Sequence, residues 1–387
     1  MKKKVISVLV AATMVVSLFT ACGSTSKDSA AADKTKTEDT AEASDKEAKD
    51  VSDLVIGEIE YAVVEDGGWA QAMHESMLAA CKNLGIDTEK NLLTAEEIAE
   101  EDPSLIESTI EEMVDNGADI IFGCSTGYGA VLAEMQEEYP DVVFAQYEND
   151  IYENVVEFQI RGYEGEFLAG YLSALMNTES NQFGFCASMD EASVRTALNS
   201  YALGAKYGNP DATVQVLWAD SWYDLDVEGQ NAKTLIDNGI KYMGMEASSP
   251  AVPQTCEQNG AFCIGYNINM QPSAPKAVLT SFTWNFAPIF EEIMQQTADG
   301  TIKIDTDYYE GGDCAKLADF NADLVPADVQ AKVNELKDKI ASGEVSVYAG
   351  ELKDDQGNVL VEEGQVMSDE DILAQDFFVS NVTGGKK

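Results

Sequence analysis

The strongest constraint on the fold is an alternation of short apolar runs and amphipathic stretches that begins at residue 54. The run "LVIGEIEYAVV" is typical of a strand, and "WAQAMHESMLAACKNLG" after it has the spacing of a helix that ends at Gly85. A helix at 103–117, the strand "ADIIFGCS", a helix at 129–140 and the strand "DVVFAQYE" continue the pattern. Such a series predicts a parallel sheet with helices on both faces.

The same pattern then starts again with the strand "NVVEFQI" and the helix "GYEGEFLAGYLSALM". Further strands are predicted at "QFGFCAS", "VQVLWAD", "KYMGMEA", "AFCIGYN" and "KAVLTSFTW", with helices at 193–208, 226–238, 250–258 and 286–298. The C-terminal part holds a strand-like "YYEGGDCAKLADF", a helix from Pro326 to Ser342 and a polar hairpin around "KDDQGN". Two series of about 110 residues each predict an α/β fold with two doubly wound parallel-sheet domains.

The start of the chain has the features of an export signal. "MKKK" and the apolar run "VISVLVAATMVVSLF" are typical of a signal peptide over 1–21, and "LFTAC" resembles a bacterial lipobox that ends at Cys22. We therefore expect lipidation of Cys22; the alternative is an ordinary secretory signal with an incidental cysteine. Residues 22–50 contain no aromatic residue and are predicted to be a disordered tether. The protein is then extracytoplasmic and lipid-anchored to the cell membrane.

The net charge excludes several classes of ligand. The +3 of residues 1–21 cancels the −3 of residues 22–50, so residues 51–387 carry the whole net charge of −45. A field of that sign repels nucleic acid and phosphate groups. A neutral or cationic small molecule remains compatible, and no cofactor is expected.

Seven cysteines leave six beyond the lipid site, and none of them forms a CxxC motif. Cys256 and Cys263 bracket "EQNGAF" and would close a small loop if they paired. Cys124 and Cys186, in contrast, lie in apolar runs that suit buried thiols. We expect most of the cysteines to be free and predict no zinc ribbon.

One motif raises the possibility of an enzyme. "GCSTG" places Ser125 after a strand and before a helix, which is the setting of a hydrolase nucleophile. The one histidine, His74, precedes Ser125, whereas the hydrolase order needs a histidine after the serine. "HESM" lacks the second histidine of HExxH, so no metal site is predicted and His74 is expected to bond to a neighbouring loop. We therefore predict a protein that is not an enzyme.

Three of the four tryptophans follow or end a predicted strand. Trp69, Trp222 and Trp284 lie at carboxyl strand ends, and Trp218 lies within a strand. Ligands of doubly wound domains bind beyond those ends, so indoles from two domains suggest an aromatic clamp in the cleft between them. The alternative for each is packing at the rim of its domain. Further residues predicted at the same edge are Asp66, Gly68, Tyr128, Glu246 and Asn267.

Several segments in this order resemble the basic membrane protein family of ABC-transporter solute-binding lipoproteins, in particular its purine-base-binding branch. They are "EDGGWAQAMHE", "IIFGCSTGYGAVLAEMQEEYPDVVFAQYE", "RGYEGEFLAGYLSALM", "DSWYD", "AKTLIDNG" and "EASSPAVPQ". The resemblance implies a type I periplasmic-binding-protein fold, with two domains joined by a hinge, and a permease and an ATPase encoded elsewhere. It places the N-terminal lobe at 51–160, completed by about 285–312, and the C-terminal lobe at 161–284, completed by about 313–387.

The resemblance also implies a ligand. Trp69 stands where the family carries a residue that stacks on the base, and "GYNINM" stands where nucleoside-binding members carry an acidic residue that holds ribose. The missing carboxylate favours a free purine base, such as adenine, hypoxanthine or xanthine, over a nucleoside. A nucleoside-binding protein of the same fold, a ligand sensor and, remotely, a hydrolase at Ser125 remain as alternatives.

Overall fold

The structure, a computed structural model, describes residues 49–147, 152, 154–302, 308–310 and 315–386. The predicted signal peptide at 1–21, Cys22 and all but the last two residues of the predicted tether at 22–50 lie outside these ranges. Within them, no helix is both long enough and apolar enough to cross a membrane.

Strands and helices alternate along most of the described chain. The strands are β1 (Ile56–Ile59), β2 (Leu92–Ala95), β3 (Ile120–Gly123), β4 (Val143–Tyr147), β5 (Val156–Gln159), β6 (Gln182–Ala187), β7 (Thr213–Trp218), β8 (Tyr242–Glu246), β9 (Phe262–Gly265), β10 (Val278–Trp284), β11 (Tyr308–Glu310), β12 (Ala315–Leu317), β13 (Leu352–Lys353), β14 (Val359–Val361) and β15 (Val382–Thr383). The helices are α1 (Trp69–Leu84), α2 (Thr88–Asn91), α3 (Pro103–Asp115), α4 (Gly129–Glu138), α5 (Gly162–Met176), α6 (Ala192–Gly208), α7 (Leu225–Asp237), α8 (Ala251–Asn259), α9 (Ala287–Asp299), α10 (Ala327–Ala341) and α11 (Asp369–Leu373).

The first sheet has the strand order β11-β5-β4-β3-β1-β2, and its neighbours pair in parallel. Strands β1 and β3 are buried along their whole length because helices cover both faces of the sheet. Helices α1 and α9 pack on one face, and helices α3 and α4 pack on the other. We call this sheet with its helices lobe N.

The second sheet has the order β12-β10-β9-β8-β6-β7-β15 and is parallel except for β12, which runs antiparallel to β10. Helices α5, α6 and α10 cover one face, and helices α7 and α8 cover the other. We call this sheet with its helices, and the segment after β12, lobe C. The α/β fold with doubly wound parallel sheets is therefore confirmed.

Helices α5 and α6 of lobe C pack with almost no separation. A Cβ atom added at Gly170 would lie 1.9 Å from the carbonyl oxygen of Tyr201, and one added at Gly204 would lie 1.8 Å from that of Phe167. Both positions therefore require glycine, because any side chain would overlap the backbone of the facing helix.

The chain passes between the sheets after β5, after β10 and between β11 and β12. Helix α9 and strand β11 return to lobe N although they follow the strands of lobe C in sequence. We propose that the two lobes correspond to the two predicted domains.

The C-terminal part differs from expectation, because helix α11 and strand β15 were not predicted and one strand-like segment is divided. The strand-like segment "YYEGGDCAKLADF" forms two strands of three residues, β11 and β12, which belong to different sheets. The polar hairpin is confirmed as the antiparallel pair β13 and β14, and the helix after Pro326 is confirmed as α10. Strand β2 was not predicted, because it is a short edge strand without a continuous apolar run.

Candidate ligand site at the strand ends

Trp69 is the first residue of α1 and lies half-buried at the carboxyl edge of the first sheet. Its indole Nε1 donates a hydrogen bond of 2.7 Å to the carbonyl oxygen of Cys124, directly after β3. Three aromatic rings surround it, with centroids 4.8 Å away for Tyr147, 5.4 Å for Trp284 and 5.7 Å for Phe286. The indole is therefore held in place by the neighbouring strand end and by aromatic contacts on several sides.

Trp284 ends β10, where the chain leaves lobe C for lobe N, and packs against the cores of both lobes. Its Nε1 donates to Oδ1 of Asn267 over 2.8 Å. Its ring meets Phe282 at 4.6 Å and 89° and stacks on Phe286 at 5.9 Å and 19°. The rings of the two lobes thus form one continuous group, which we call the aromatic cluster: Trp69, Tyr147, Tyr266, Phe282, Trp284 and Phe286.

Asn267 adopts a left-handed backbone conformation, with φ 65°, and is buried. A residue other than glycine takes this conformation at a cost, and asparagine tolerates it better than most. Its amide Nδ2 donates to Oγ of Ser248 over 3.4 Å. The asparagine is therefore oriented by Ser248 on one side and by Trp284 on the other.

The turn before α1 touches lobe C. Oδ1 of Asp66 accepts hydrogen bonds from the backbone N–H groups of Gly68, at 2.7 Å, and Gln71, at 3.1 Å. A Cβ atom added at Gly68 would lie 3.1 Å from Cβ of Ser248, in the loop after β8. Asp66 thus shapes the turn, and Gly68 allows the two lobes to approach closely at this point.

Glu246 ends β8 and is buried on the lobe C side. Its Oε2 accepts a hydrogen bond from Oγ of Ser188, and its carbonyl oxygen accepts one of 2.9 Å from the backbone N–H of Ser188. Burial raises the pKa of the Glu246 carboxyl to about 7, with a smaller contribution in the same direction from the negative charge of Glu228. This carboxyl therefore exchanges its proton near neutral pH.

Two tyrosines link the surroundings of Glu246 to lobe N. Burial raises the pKa of the Tyr266 phenol, and the nearby Glu246 carboxyl and the Tyr147 phenol act in the same direction. The pKa of Tyr61, whose side chain is partly exposed, is also raised by partial burial and by nearby carboxylates that include Asp66 of lobe N and Glu246 of lobe C. The strand ends of both lobes therefore share one acidic, aromatic environment.

Six of the eight predicted site residues lie in this region, namely Trp69, Asp66, Gly68, Glu246, Asn267 and Trp284. Tyr128 must be corrected, because it is fully buried in the core of lobe N and its hydroxyl donates to the carbonyl of Ile98 over 2.7 Å. Trp222 is 47% exposed and makes no ring contact with another aromatic residue of the described chain. We therefore leave Tyr128 and Trp222 out of the candidate site.

Sequence reasoning missed Tyr147, Tyr266, Tyr61 and Phe286. Tyr147 ends β4, and Tyr266 directly follows β9, so the rule used for the tryptophans would have found both. Tyr61 lies in the loop after β1, because the strand ends at Ile59 rather than running on to residue 64. Phe286 could not be predicted as a site residue, because it directly precedes helix α9 rather than following a strand. The lobe to which α9 belongs cannot be read from the local sequence either.

Ser125 does not have the surroundings of a catalytic serine. Its hydroxyl donates to Oε1 of Glu100 over 2.5 Å, and the same oxygen accepts from the backbone N–H of Gly127. The histidine lies elsewhere, because Nδ1 of His74 bonds Oε2 of Glu58 at 2.8 Å. The expectation that His74 bonds to a loop is therefore wrong, since its partner is the carboxylate of a strand residue.

The described cysteines are free, as predicted. They are Cys81, Cys124, Cys186, Cys256 and Cys263. The alternative of a small loop closed by Cys256 and Cys263 is therefore wrong, and Cys314 lies outside the described residues.

Comparison with known proteins identifies the family. A family model for PnrA-like ABC transporter substrate-binding proteins, called Bmp, matches residues 54–351. The chain is 28% identical over 333 residues to a purine-binding protein of Brucella abortus, and this alignment covers 85% of this chain and 93% of the relative. It is 27% identical over 288 residues to a putative ABC transporter glucose-binding protein of Haloferax volcanii, and this alignment covers 74% of this chain and 72% of that protein.

A solved structure supports the fold. An ABC transporter solute-binding protein from Conexibacter woesei matches with a TM-score of 0.64 at 21% identity, over 76% of this chain and 98% of that one. The predicted resemblance is thus confirmed, and the family is one of solute-binding proteins. Because the family model covers most of its length, this chain belongs to the Bmp family of PnrA-like ABC transporter substrate-binding proteins.

Proposed function

We propose that this protein captures a purine base outside the cytoplasm and delivers it to an ABC importer. A lipid on Cys22 would hold it at the membrane, and a separate permease and ATPase would receive the ligand-bound form. The ligand would be bound and released without any bond being made or broken. The purine-binding relative supports this ligand class, and the family supports the transport role.

The observation that carries the proposal is the meeting of Trp69 and Trp284 at the strand ends, with ring centroids 5.4 Å apart. Stacking of a base on an aromatic side chain is worth about 1–3 kcal/mol. That is a substantial share of the roughly 8 kcal/mol that corresponds to micromolar affinity. When the lobes open, a flat ring can enter and pack on the exposed face of an indole, and closure then excludes water.

Polar groups beside the aromatic cluster would select among flat rings. The carboxyl of Glu246 and the amide of Asn267 lie on lobe C, and the turn that Asp66 and Gly68 form lies on lobe N. A buried polar group discriminates strongly, because an analogue that leaves it unpaired loses binding energy. We favour a base over a nucleoside because "GYNINM" offers no carboxylate for ribose.

The ligand class can be tested by calorimetry on the full-length chain. The panel is adenine, hypoxanthine, xanthine and guanine, with adenosine, guanosine and glucose for comparison. We expect at least one base to bind with micromolar or tighter affinity and more tightly than its nucleoside. Binding of glucose with no binding of any purine would contradict the proposal.

Two tryptophan variants then test the site itself. Trp69→Ala should weaken base binding about 5- to 150-fold, which corresponds to a loss of 1–3 kcal/mol of stacking. Trp222→Ala is the matched control, because it removes an exposed indole outside the aromatic cluster. Equal affinities for the two variants and the wild type would refute the assignment of Trp69.

Anchoring and the absence of catalysis need separate tests. Cells that express the wild-type chain should carry a lipid-modified protein in the membrane fraction, and Cys22→Ser should release an unmodified one. A serine-directed fluorophosphonate should fail to label Ser125, because its hydroxyl is bonded to a carboxylate rather than to an imidazole. Labelling that Ser125→Ala abolishes would revive the hydrolase alternative.

A further inference from the structure

Three buried side chains with metal-binding atoms meet beneath the aromatic cluster. Glu58 lies on β1, Glu60 directly follows that strand, and Cys124 directly follows the neighbouring strand β3. The candidate ligand atoms of the three residues all lie within 4.8 Å of one another, and each residue is fully buried. We call this group the buried acid–thiol cluster.

Most carboxylate oxygens of the cluster lack a hydrogen-bond partner among the described residues. Within the part of the chain that the structure describes, three carboxylate oxygens have no hydrogen-bond partner of ordinary geometry. They are both oxygens of Glu60 and Oε1 of Glu58. The thiol of Cys124 faces Glu60. A buried, unpaired carboxylate costs several kcal/mol, and two neighbouring ones repel each other as well. Glu58 is paired with His74, but Glu60 has no such partner among the described residues, so the burial of Glu60 calls for a bound proton or a bound cation.

Residues next to the cluster hold its side chains through hydrogen bonds. In metal sites, residues that do not touch the metal hold the ligands in the same way. Oε2 of Glu58 is held by Nδ1 of His74 at 2.8 Å and by Oγ1 of Thr94, which donates to it over 2.9 Å. Oε1 of the same carboxyl has no hydrogen-bond partner among the residues that the structure describes. The carbonyl oxygen of Cys124 is held by the indole of Trp69. Metal-binding carboxylates are commonly fixed in this way, through one oxygen, by residues that do not touch the metal.

We propose that the buried acid–thiol cluster binds a divalent cation of the zinc class through Oε1 of Glu58, a carboxylate oxygen of Glu60 and Sγ of Cys124. Zinc takes thiolate at about 2.3 Å and carboxylate at about 2.0–2.2 Å, with three protein ligands and one open position in many sites. Magnesium and calcium prefer sites built from oxygen alone. Binding converts the thiol to a thiolate and releases its proton to solvent.

The geometry requires only a small adjustment. Tetrahedral ligand atoms at those bond lengths are separated by about 3.5 Å, whereas the three atoms lie within 4.8 Å of one another, so they need to approach by at most about 1.3 Å. Rotation of the Glu60 and Cys124 side chains provides this while Glu58 stays in place. Among the described residues, no hydrogen bond of ordinary geometry holds the Glu60 carboxylate, and the thiol of Cys124 lies 3.9 Å from its acceptor, the carbonyl oxygen of Phe122. This site is distinct from the proposed purine site and does not depend on it.

The first test is metal uptake by the untagged full-length chain. Protein stripped with a chelator is titrated with Zn²⁺ and assayed by calorimetry and elemental analysis, with Mg²⁺ and Ca²⁺ for comparison. We expect about one tightly bound Zn²⁺ per chain and no comparable uptake of Mg²⁺ or Ca²⁺. With Co²⁺, we expect a thiolate-to-metal charge-transfer band. If the wild type takes up no Zn²⁺, the carboxylates hold a proton instead and the proposal is wrong.

Matched variants then assign the site. Glu60→Gln and Cys124→Ser should each weaken Zn²⁺ binding at least tenfold, and Cys124→Ser should abolish the cobalt band. The controls Glu166→Gln and Cys186→Ser change the same residue types at buried positions of lobe C and should leave both readouts unchanged. Uptake that survives in both test variants would overturn the assignment. If a variant fails to fold, the wild-type stoichiometry and cobalt band still decide, and purine calorimetry reports separately on the proposed function.

Discussion

Replacement of Glu246 by glutamine should change how the stability of the protein depends on pH. The carboxyl has an ordinary pKa of 4.5, which applies to the unfolded chain, and a pKa of about 7 in the folded state because of its burial. Between these values the folded state binds more protons than the unfolded state, so the free energy of unfolding falls as the pH rises. The difference of about 2.5 pH units corresponds to a loss of about 3 kcal/mol by pH 8.

The charges around Glu246 come from several elements. Glu228 lies on α7, Glu166 on α5, Tyr266 follows β9 and Tyr61 faces it from lobe N. These groups are present in both proteins, so a comparison of the wild type with Glu246→Gln isolates the contribution of the one carboxyl. Glutamine keeps the size of the side chain and an oxygen that can accept from the neighbouring serine hydroxyl.

The assay is urea unfolding of the wild type and of Glu246→Gln at pH 5 and pH 8. We expect the wild type to lose about 2–3 kcal/mol more than the variant between pH 5 and pH 8, because the unfolded carboxyl is already mostly deprotonated at pH 5. The wild type is therefore relatively more stable in acid. Parallel pH profiles for the two proteins would refute the reasoning. They would mean that water reaches this carboxyl in the folded protein and that the strand ends do not bury it.

Three further substitutions have defined outcomes. Gly68→Ala places a methyl group 3.1 Å from Ser248 of the other lobe, so we expect about fivefold weaker purine binding by calorimetry, from roughly 1 kcal/mol of overpacking on closure. Gly204→Ala drives a methyl group into the carbonyl of Phe167, so we expect at least 1–3 kcal/mol lower stability in urea. Tyr128→Phe removes a buried hydrogen bond and should lower stability by about 1 kcal/mol while leaving purine affinity unchanged.

Each of these outcomes can fail in an informative way. Unchanged affinity in Gly68→Ala would show that the turn and Ser248 do not meet in the ligand-bound state. Wild-type stability in Gly204→Ala would contradict the close packing of α5 on α6. Weaker purine binding in Tyr128→Phe at unchanged stability would return Tyr128 to the site.

The architecture could be predicted from the sequence because each βα unit has its own periodic pattern of apolar residues. Buried strands such as β3 read as continuous apolar runs, and α1 ends at a left-handed glycine, Gly85, with φ 76°. The short strand β2 gave no such signal, and β11 and β12 were covered by one strand-like segment, because each of the three spans only three or four residues at or near a sheet edge. Which sheet they join depends on long-range pairing that no local pattern contains.

Site residues that lie at strand ends could be predicted from the sequence. Site residues whose role depends on the direction of the side chain could not. The rule that ligands bind beyond the carboxyl ends located Trp69 and Trp284. The same rule selected Tyr128, which points into the core, and Trp222, which extends into solvent. The buried acid–thiol cluster could not be predicted from the sequence, because Glu58 and Glu60 are two of 69 acidic residues and only folding places them beside Cys124.

The most direct test of a purine held at the aromatic strand ends is a crystal structure of the protein grown with adenine and glucose together. We expect the adenine ring between the lobes, packed on the indole of Trp69, with Glu246 or Asn267 within hydrogen-bonding distance of a ring nitrogen. A structure in which Trp69 and Trp284 remain packed on each other, with glucose between the lobes or adenine bound elsewhere, would contradict it.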